Sequence, residues 1–149
     1  MKKLPLVLLL LAAACQTTST TIVPPASAGP GPRVALDQFL AAVRAKDLQA
    51  MSAAWGNKEG PVRESKVMTR DEVERRELIL LCYFKHDKYR VLAEQPAVDD
   101  ERVLQVELTK GTISRTTNFF LAHGPDRWYV RSANLEPVRD LCVDQGKTK

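Results

Sequence analysis

The sequence predicts an α+β domain, with N-terminal helices packed on an antiparallel sheet of about four strands. Two observations lead there. Apolar residues recur at three- and four-residue steps up to about residue 86, and at two-residue steps past Asp87. The connections between the later segments are short, and short connections force successive strands to run antiparallel.

The elements follow in order. Leu36, Phe39, Leu40 and Val43 form one apolar stripe of a first helix. Asp47 is placed to cap a second short helix that carries Leu48, Met51 and Trp55 inward and ends at Gly56. Residues 57–66 are polar, contain Gly60 and Pro61, and read as a loop. Thr69-Arg70-Asp71-Glu72 matches a capping box. A third helix then runs to about His86, with Val73, Leu80, Leu81 and Phe84 inward. Glu74, Arg75, Arg76 and Glu77 fill its wet face. Strands are expected over residues 89–93, 102–108, 112–121 and 127–132. Leu104, Val106 and Leu108 share one face, as do Ile113, Thr117, Phe119 and Leu121. His123-Gly124-Pro125-Asp126 is a hairpin turn, after which Trp128 and Val130 face inward and Tyr129 and Arg131 outward.

The N-terminus gives an address. Met1-Lys2-Lys3 is basic, residues 4–11 are apolar apart from Pro5, and Ala12, Ala13 and Ala14 precede Cys15. That order is the layout of a secretory signal peptide over residues 1–14. A cysteine directly after the small residues resembles the lipobox of bacterial lipoproteins, although Ala12 stands where that family most often has Leu. The resemblance implies cleavage before Cys15 and lipidation of its thiol. The alternative is an ordinary signal peptide cut near Ala14. The apolar stretch is too short for a permanent span, which needs about 20 residues. The membrane is therefore expected as a partner through acyl chains, each buried methylene contributing roughly 0.8 kcal/mol. Gln16 follows the cysteine. Lipoproteins of Gram-negative cells held at the inner membrane tend to have Asp there, so the expected location is the cell envelope, on the outer membrane facing the periplasm in such a cell.

Residues 15–33 are rich in Thr, Ser, Pro and Gly, lack an apolar period, and read as a flexible tether. Residues 34–143 fit a single domain with one core, and 144–149 read as a disordered polar tail. The net charge of +4 includes Lys2 and Lys3 of the leader, so the mature chain is close to balance. Nothing in that charge argues for nucleic acid.

The cysteine count is 3, an odd number that becomes even once Cys15 is assigned to lipid. Cys82 and Cys142 then form a disulfide in an oxidising compartment. The alternative is two buried thiols acting as small hydrophobes.

The segments ALDQFLAAVRAKDLQAMSAAWG and RWYVRSANLE, with the order of elements between them, resemble the nuclear transport factor 2-like (SnoaL-like) fold over about residues 34–142. The resemblance implies a curved, cone-like sheet and a strand pair between the second and third helices, for which 57–68 looks too polar and short. Enzymes of that fold use an Asp/His or Asp/Tyr set inside the cavity. Here the polar residues able to face inward, Tyr83, Tyr89, Arg115 and Asn118, form no such pair, and no catalytic residue is assigned.

Cys82 and His86 are four residues apart, a spacing that can hold a metal or activate a thiol, but no second ligand pair exists. No metal and no cofactor are expected. His86 reads instead as a partner for the helix C-terminal dipole, and His123 as an exposed turn tip. Asp99-Asp100-Glu101 reads as a solvated turn with too few oxygens for calcium. Trp55, Tyr89, Phe119 and Trp128 are the candidates to line a cavity, with a solid core as the alternative. The expected function is a lipid-anchored, non-enzymatic module that binds a small apolar ligand or an envelope protein. An enzyme of the same fold acting on a small apolar substrate, and a structural or assembly lipoprotein, are the alternatives.

Overall fold

The computed structural model describes residues 31–143. The leader, Cys15, residues 16–30 of the tether and the tail from residue 144 lie outside the described residues. The architecture is α+β, with helices on one face of a four-stranded antiparallel sheet that does not close.

Helix α1 (Pro32–Ala45) starts inside the segment read as tether. Proline suits a first helical position, where its missing N–H costs nothing and its φ is already helical. One stripe of α1 buries Leu36, Phe39, Leu40 and Val43, as the spacing requires, together with Ala35 and Ala42. Lys46 ends it at φ 57°, its N–H returning to the Ala42 and Val43 carbonyls. Asp47 then accepts from Ala50 N at 3.0 Å and caps α2 (Leu48–Ala54).

The expected loop contains a small hairpin. β1 (Gly56–Asn57) pairs antiparallel with β2 (Gly60–Pro61), and a 3-10 turn follows at Val62–Glu64. Strands of two residues carry no readable period, so composition alone said loop. Gly56 is obligatory here: a Cβ would run into the Gly60 carbonyl and the Tyr129 ring. Trp55 makes a parallel bridge with Val130, which joins the hairpin to the sheet.

The capping box forms. Thr69 N donates to Glu72 Oε2 at 2.8 Å, and Glu72 N donates to Thr69 Oγ1 at 3.3 Å. Helix α3 (Arg70–Tyr83) stops three residues before the expected end, with Phe84 N returning to the Leu80 carbonyl. Cys82 and His86 therefore do not share a helix face. Glu77, expected in water, is only 3 % exposed.

The sheet order is β3 (Lys88–Pro96), β4 (Arg102–Lys110), β5 (Ile113–His123), β6 (Trp128–Ala133), all antiparallel. The expected inward sets pair across strands: Leu104 with Phe119, Val106 with Thr117, Leu121 with Val130. Bulges interrupt the register at Leu92 and at Arg131. Tyr129 is a correction. It points to the sheet's far face, yet it is buried at 2 %. The hairpin covers it there: its ring lies against Gly56 and Gly124, and its hydroxyl donates to Asp126 Oδ1 at 2.7 Å.

After β6 the chain turns back through a 3-10 turn at Glu136–Val138 into α4 (Arg139–Cys142), burying Val138 and Leu141 completely. Cys142 is disulfide-bonded to Cys82 of α3, at a sequence separation of 60. Arg115 pairs with Asp140 at 2.6 Å, and Lys110 Nζ donates to the Leu141 carbonyl at 3.0 Å. Between helices and sheet the space is filled. Phe39, Phe84 and Phe119 meet with ring centroids 4.9 to 6.4 Å apart, and each is at most 1 % exposed.

Candidate functional site

Outside that packed centre, an apolar cleft of about 380 Å³ opens between α3 and β6. Trp55, Ile79, Leu80, Val130 and Leu135 form its walls, and the core rings of Phe39 and Phe84 reach it from behind. Trp55 takes an extended conformation as the last cap of α2, and its indole Nε1 donates to the Arg131 carbonyl at 3.2 Å. The polar edge of the indole is thereby satisfied, leaving its apolar ring for the cleft. Ile79 is 47 % exposed, and Arg76 stands at the rim. An apolar wall with a satisfied indole and one nearby guanidinium suits a small, mostly apolar molecule.

The four cavity candidates do not meet in one place. Trp55 lines the cleft. Phe119 is fully buried behind it, against Phe39 and Phe84. Tyr89 lies on β3, the opposite edge of the sheet, where its hydroxyl donates to Asp37 Oδ1 at 2.5 Å. Burial raises the Tyr89 phenol to about 12, with the Asp37 carboxylate adding to the shift. Trp128 packs edge-on against His123 with centroids 5.2 Å apart. Ile79 and Leu135 were missed. The available signal was the apolar pair Leu78-Ile79, which falls off the buried stripe of α3.

A second, polar cleft of about 650 Å³ lies between α2, the 3-10 turn and α3. Ser52, Arg63, Glu64, Arg70, Glu74 and Glu77 line it. Glu77 is its buried acid, and Oε1 has no hydrogen-bond partner among the described residues. Burial pushes the Glu77 carboxyl up to about 7; the Ser52 hydroxyl pulls it down, and Glu74 adds to the rise. A carboxyl poised near neutrality is able to exchange a proton at physiological pH.

The remaining candidates resolve simply. Cys82 is in the disulfide and offers no thiol. For His86 the shift runs opposite to the one a helix C-terminal dipole would cause. The side chain is buried, and burial holds its pKa below the ordinary value. Its Nδ1–H donates to the Phe84 carbonyl at 2.7 Å. His123 ends β5. Asp99 and Asp100 both adopt positive φ in the β3–β4 turn, and Lys58 lies 3.9 Å from Asp99. Arg115 is held by Asp140, and the Asn118 carbonyl accepts from Asn134 N at 3.0 Å. No group of three or more His, Cys, Asp and Glu is placed to hold a metal among the described residues. None of the described helices is long and apolar enough to cross a membrane.

No protein-family model, no curated protein and no solved structure matches the chain.

Proposed function

We propose that this protein is a lipid-anchored envelope lipoprotein whose domain binds a small apolar ligand in the cleft walled by Trp55. The observation that carries the binding role is the cleft itself, apolar and open beside a filled core. A ligand entering there buries surface at roughly 25 cal/mol per Å² without having to displace core side chains. The anchor rests on the leader and Cys15. The nuclear transport factor 2-like resemblance gains support from the hairpin of β1 and β2, which lies between α2 and α3 where that fold has its strand pair.

Two measurements test this. N-phenyl-1-naphthylamine should bind saturably with enhanced fluorescence, and Ile79→Asp should weaken it about tenfold by placing a charge in the apolar wall. Unsaturable binding, or equal binding by the variant, counts against the cleft. Separately, a palmitate analogue should label the wild-type chain in cells and leave Cys15→Ser unlabelled. An unlabelled wild type removes the anchor.

A second reading is an enzyme of the same fold. It draws on Glu77, a buried carboxyl near neutrality in the polar cleft.

A further inference from the structure

The apolar cleft walled by Trp55 is polar at one end. Arg76, Ile79 and Leu80 stand at i, i+3 and i+4 on α3 and share the face that borders it. Helical side chains lean toward the helix N-terminus, so Arg76 extends past the end of the wall made by Ile79 and Leu80 instead of lying over it. Arg76 is exposed. The acid one turn earlier, Glu72, is its electrostatic neighbour, but Glu72 Oε2 already accepts from the Thr69 N–H at 2.8 Å and the Thr69 hydroxyl at 2.9 Å. Those two bonds lower the Glu72 pKa more than Arg76 does. A guanidinium has five N–H donors, so such a neighbour leaves most of them to solvent. The cleft's other guanidinium, Arg131, is taken: it reaches both Glu101 carboxylate oxygens, at 2.8 and 2.9 Å, and lies over the Phe120 ring. The Trp55 indole N–H is committed to the Arg131 carbonyl. Ser132 adds one hydroxyl, and no carboxylate lines the cleft among the described residues. The cleft therefore offers apolar walls, a guanidinium fork at one end, and no negative charge on its lining to repel an anion.

We propose that the ligand of this cleft is a single-chain carboxylic acid, its carboxylate paired with Arg76 at the rim and its alkyl chain laid along Trp55, Ile79 and Leu135. This rests on the cleft being a ligand site, as proposed above, and adds the head group to that reading. A planar carboxylate is what a guanidinium fork takes in two parallel hydrogen bonds. An amine head meets Arg76 as a like charge, and an uncharged head gains little there over water. A flexible chain can follow a cleft that is open at the surface, and each methylene it takes out of water adds to affinity.

The test uses the Cys15→Ser chain, which offers no thiol for lipidation and needs no detergent. It reads displacement of N-phenyl-1-naphthylamine at about pH 7.5, where a carboxylic acid of ordinary pKa is ionised. Decanoate should displace the probe saturably and about fivefold more tightly than decanol, with decylamine the weakest of the three. The preference for decanoate over decanol should vanish in Arg76→Gln, persist in part in Arg76→Lys, and shrink as salt is raised. Equal affinity for decanoate and decanol, or a preference that survives in Arg76→Gln, overturns the carboxylate assignment; if both still displace the probe, the cleft itself stands. A probe that never binds saturably, or that decanoate and decanol both leave in place, removes the cleft and the carboxylate with it.

Discussion

Removal of the Cys82–Cys142 disulfide is expected to destabilise the domain by about 4 kcal/mol, the chain-entropy value for a closed loop of about 60 residues. The measurement is urea unfolding of Cys82→Ala/Cys142→Ala beside the oxidised protein. A loss of that size is a large share of the 5–15 kcal/mol that holds a typical domain folded, and the midpoint temperature should fall by on the order of 20 °C. The bridge matters because of what it secures. Helix α4 has four residues, far too few to persist unaided. Yet it carries Leu141, and the preceding 3-10 turn carries Val138, both at 0 % exposure. With the sulfurs gone, those two side chains, the Arg115–Asp140 pair and the Lys110 hydrogen bond remain to hold the segment. Faster hydrogen exchange in α4 than in β4 and β5 should accompany the loss. A cost below about 1 kcal/mol would show that Val138 and Leu141 suffice to dock the segment, against the entropic account.

Glu77→Gln is expected to make the protein more stable at alkaline pH and to leave it nearly unchanged at about pH 4. The sign comes from the direction of the shift. The folded carboxyl titrates at about 7 and the unfolded one at about 4.5, so the folded state holds its proton more tightly. The stability this contributes is present in full below 4.5 and is lost as pH rises through 7. At 1.36 kcal/mol per pKa unit the shift corresponds to about 3 kcal/mol, and water at the mouth of the cleft screens this to about 2. The amide of Gln has no charge to bury, so the variant should lack this slope. Denaturant midpoints from about pH 4 to 9 read it directly. Parallel profiles for the two proteins would mean that Glu77 ionises in the folded state at an ordinary pH.

Much of the fold was legible because it is written in periods. The stripe Leu36, Phe39, Leu40, Val43 and the alternations in β4 and β5 are long enough to declare themselves, and each buries as its spacing demands. The Thr69–Glu72 capping box was legible because the motif is local. What escaped was short or depended on distant chain. The hairpin of β1 and β2 has two residues per strand, and α4 has four. Tyr129 sits at an outward position by alternation and is buried only because that hairpin folds over it. Glu77 likewise follows the charged face of α3 in sequence, and its burial is tertiary. The cavity candidates were chosen as large inward aromatics. Phe119 is inward, but it interlocks with Phe39 and Phe84 rather than leaving a space. Lone cleft walls such as Ile79 arise where a helix is left partly uncovered, and no period marks that.

The two margins of the sheet are finished differently. At β6, the bridge between Trp55 and Val130 brings the hairpin alongside, so part of that backbone already has a neighbour. At β3 the outer row of amides and carbonyls faces no strand among the described residues. That strand carries Lys88, Arg90 and Glu94, ends on Pro96, and is kinked by the bulge at Leu92. Charge, a missing donor and a local twist are the features by which an open margin refuses a foreign strand. An outer margin finished in this way is expected to disfavour edge-to-edge pairing with the same strand of a second copy.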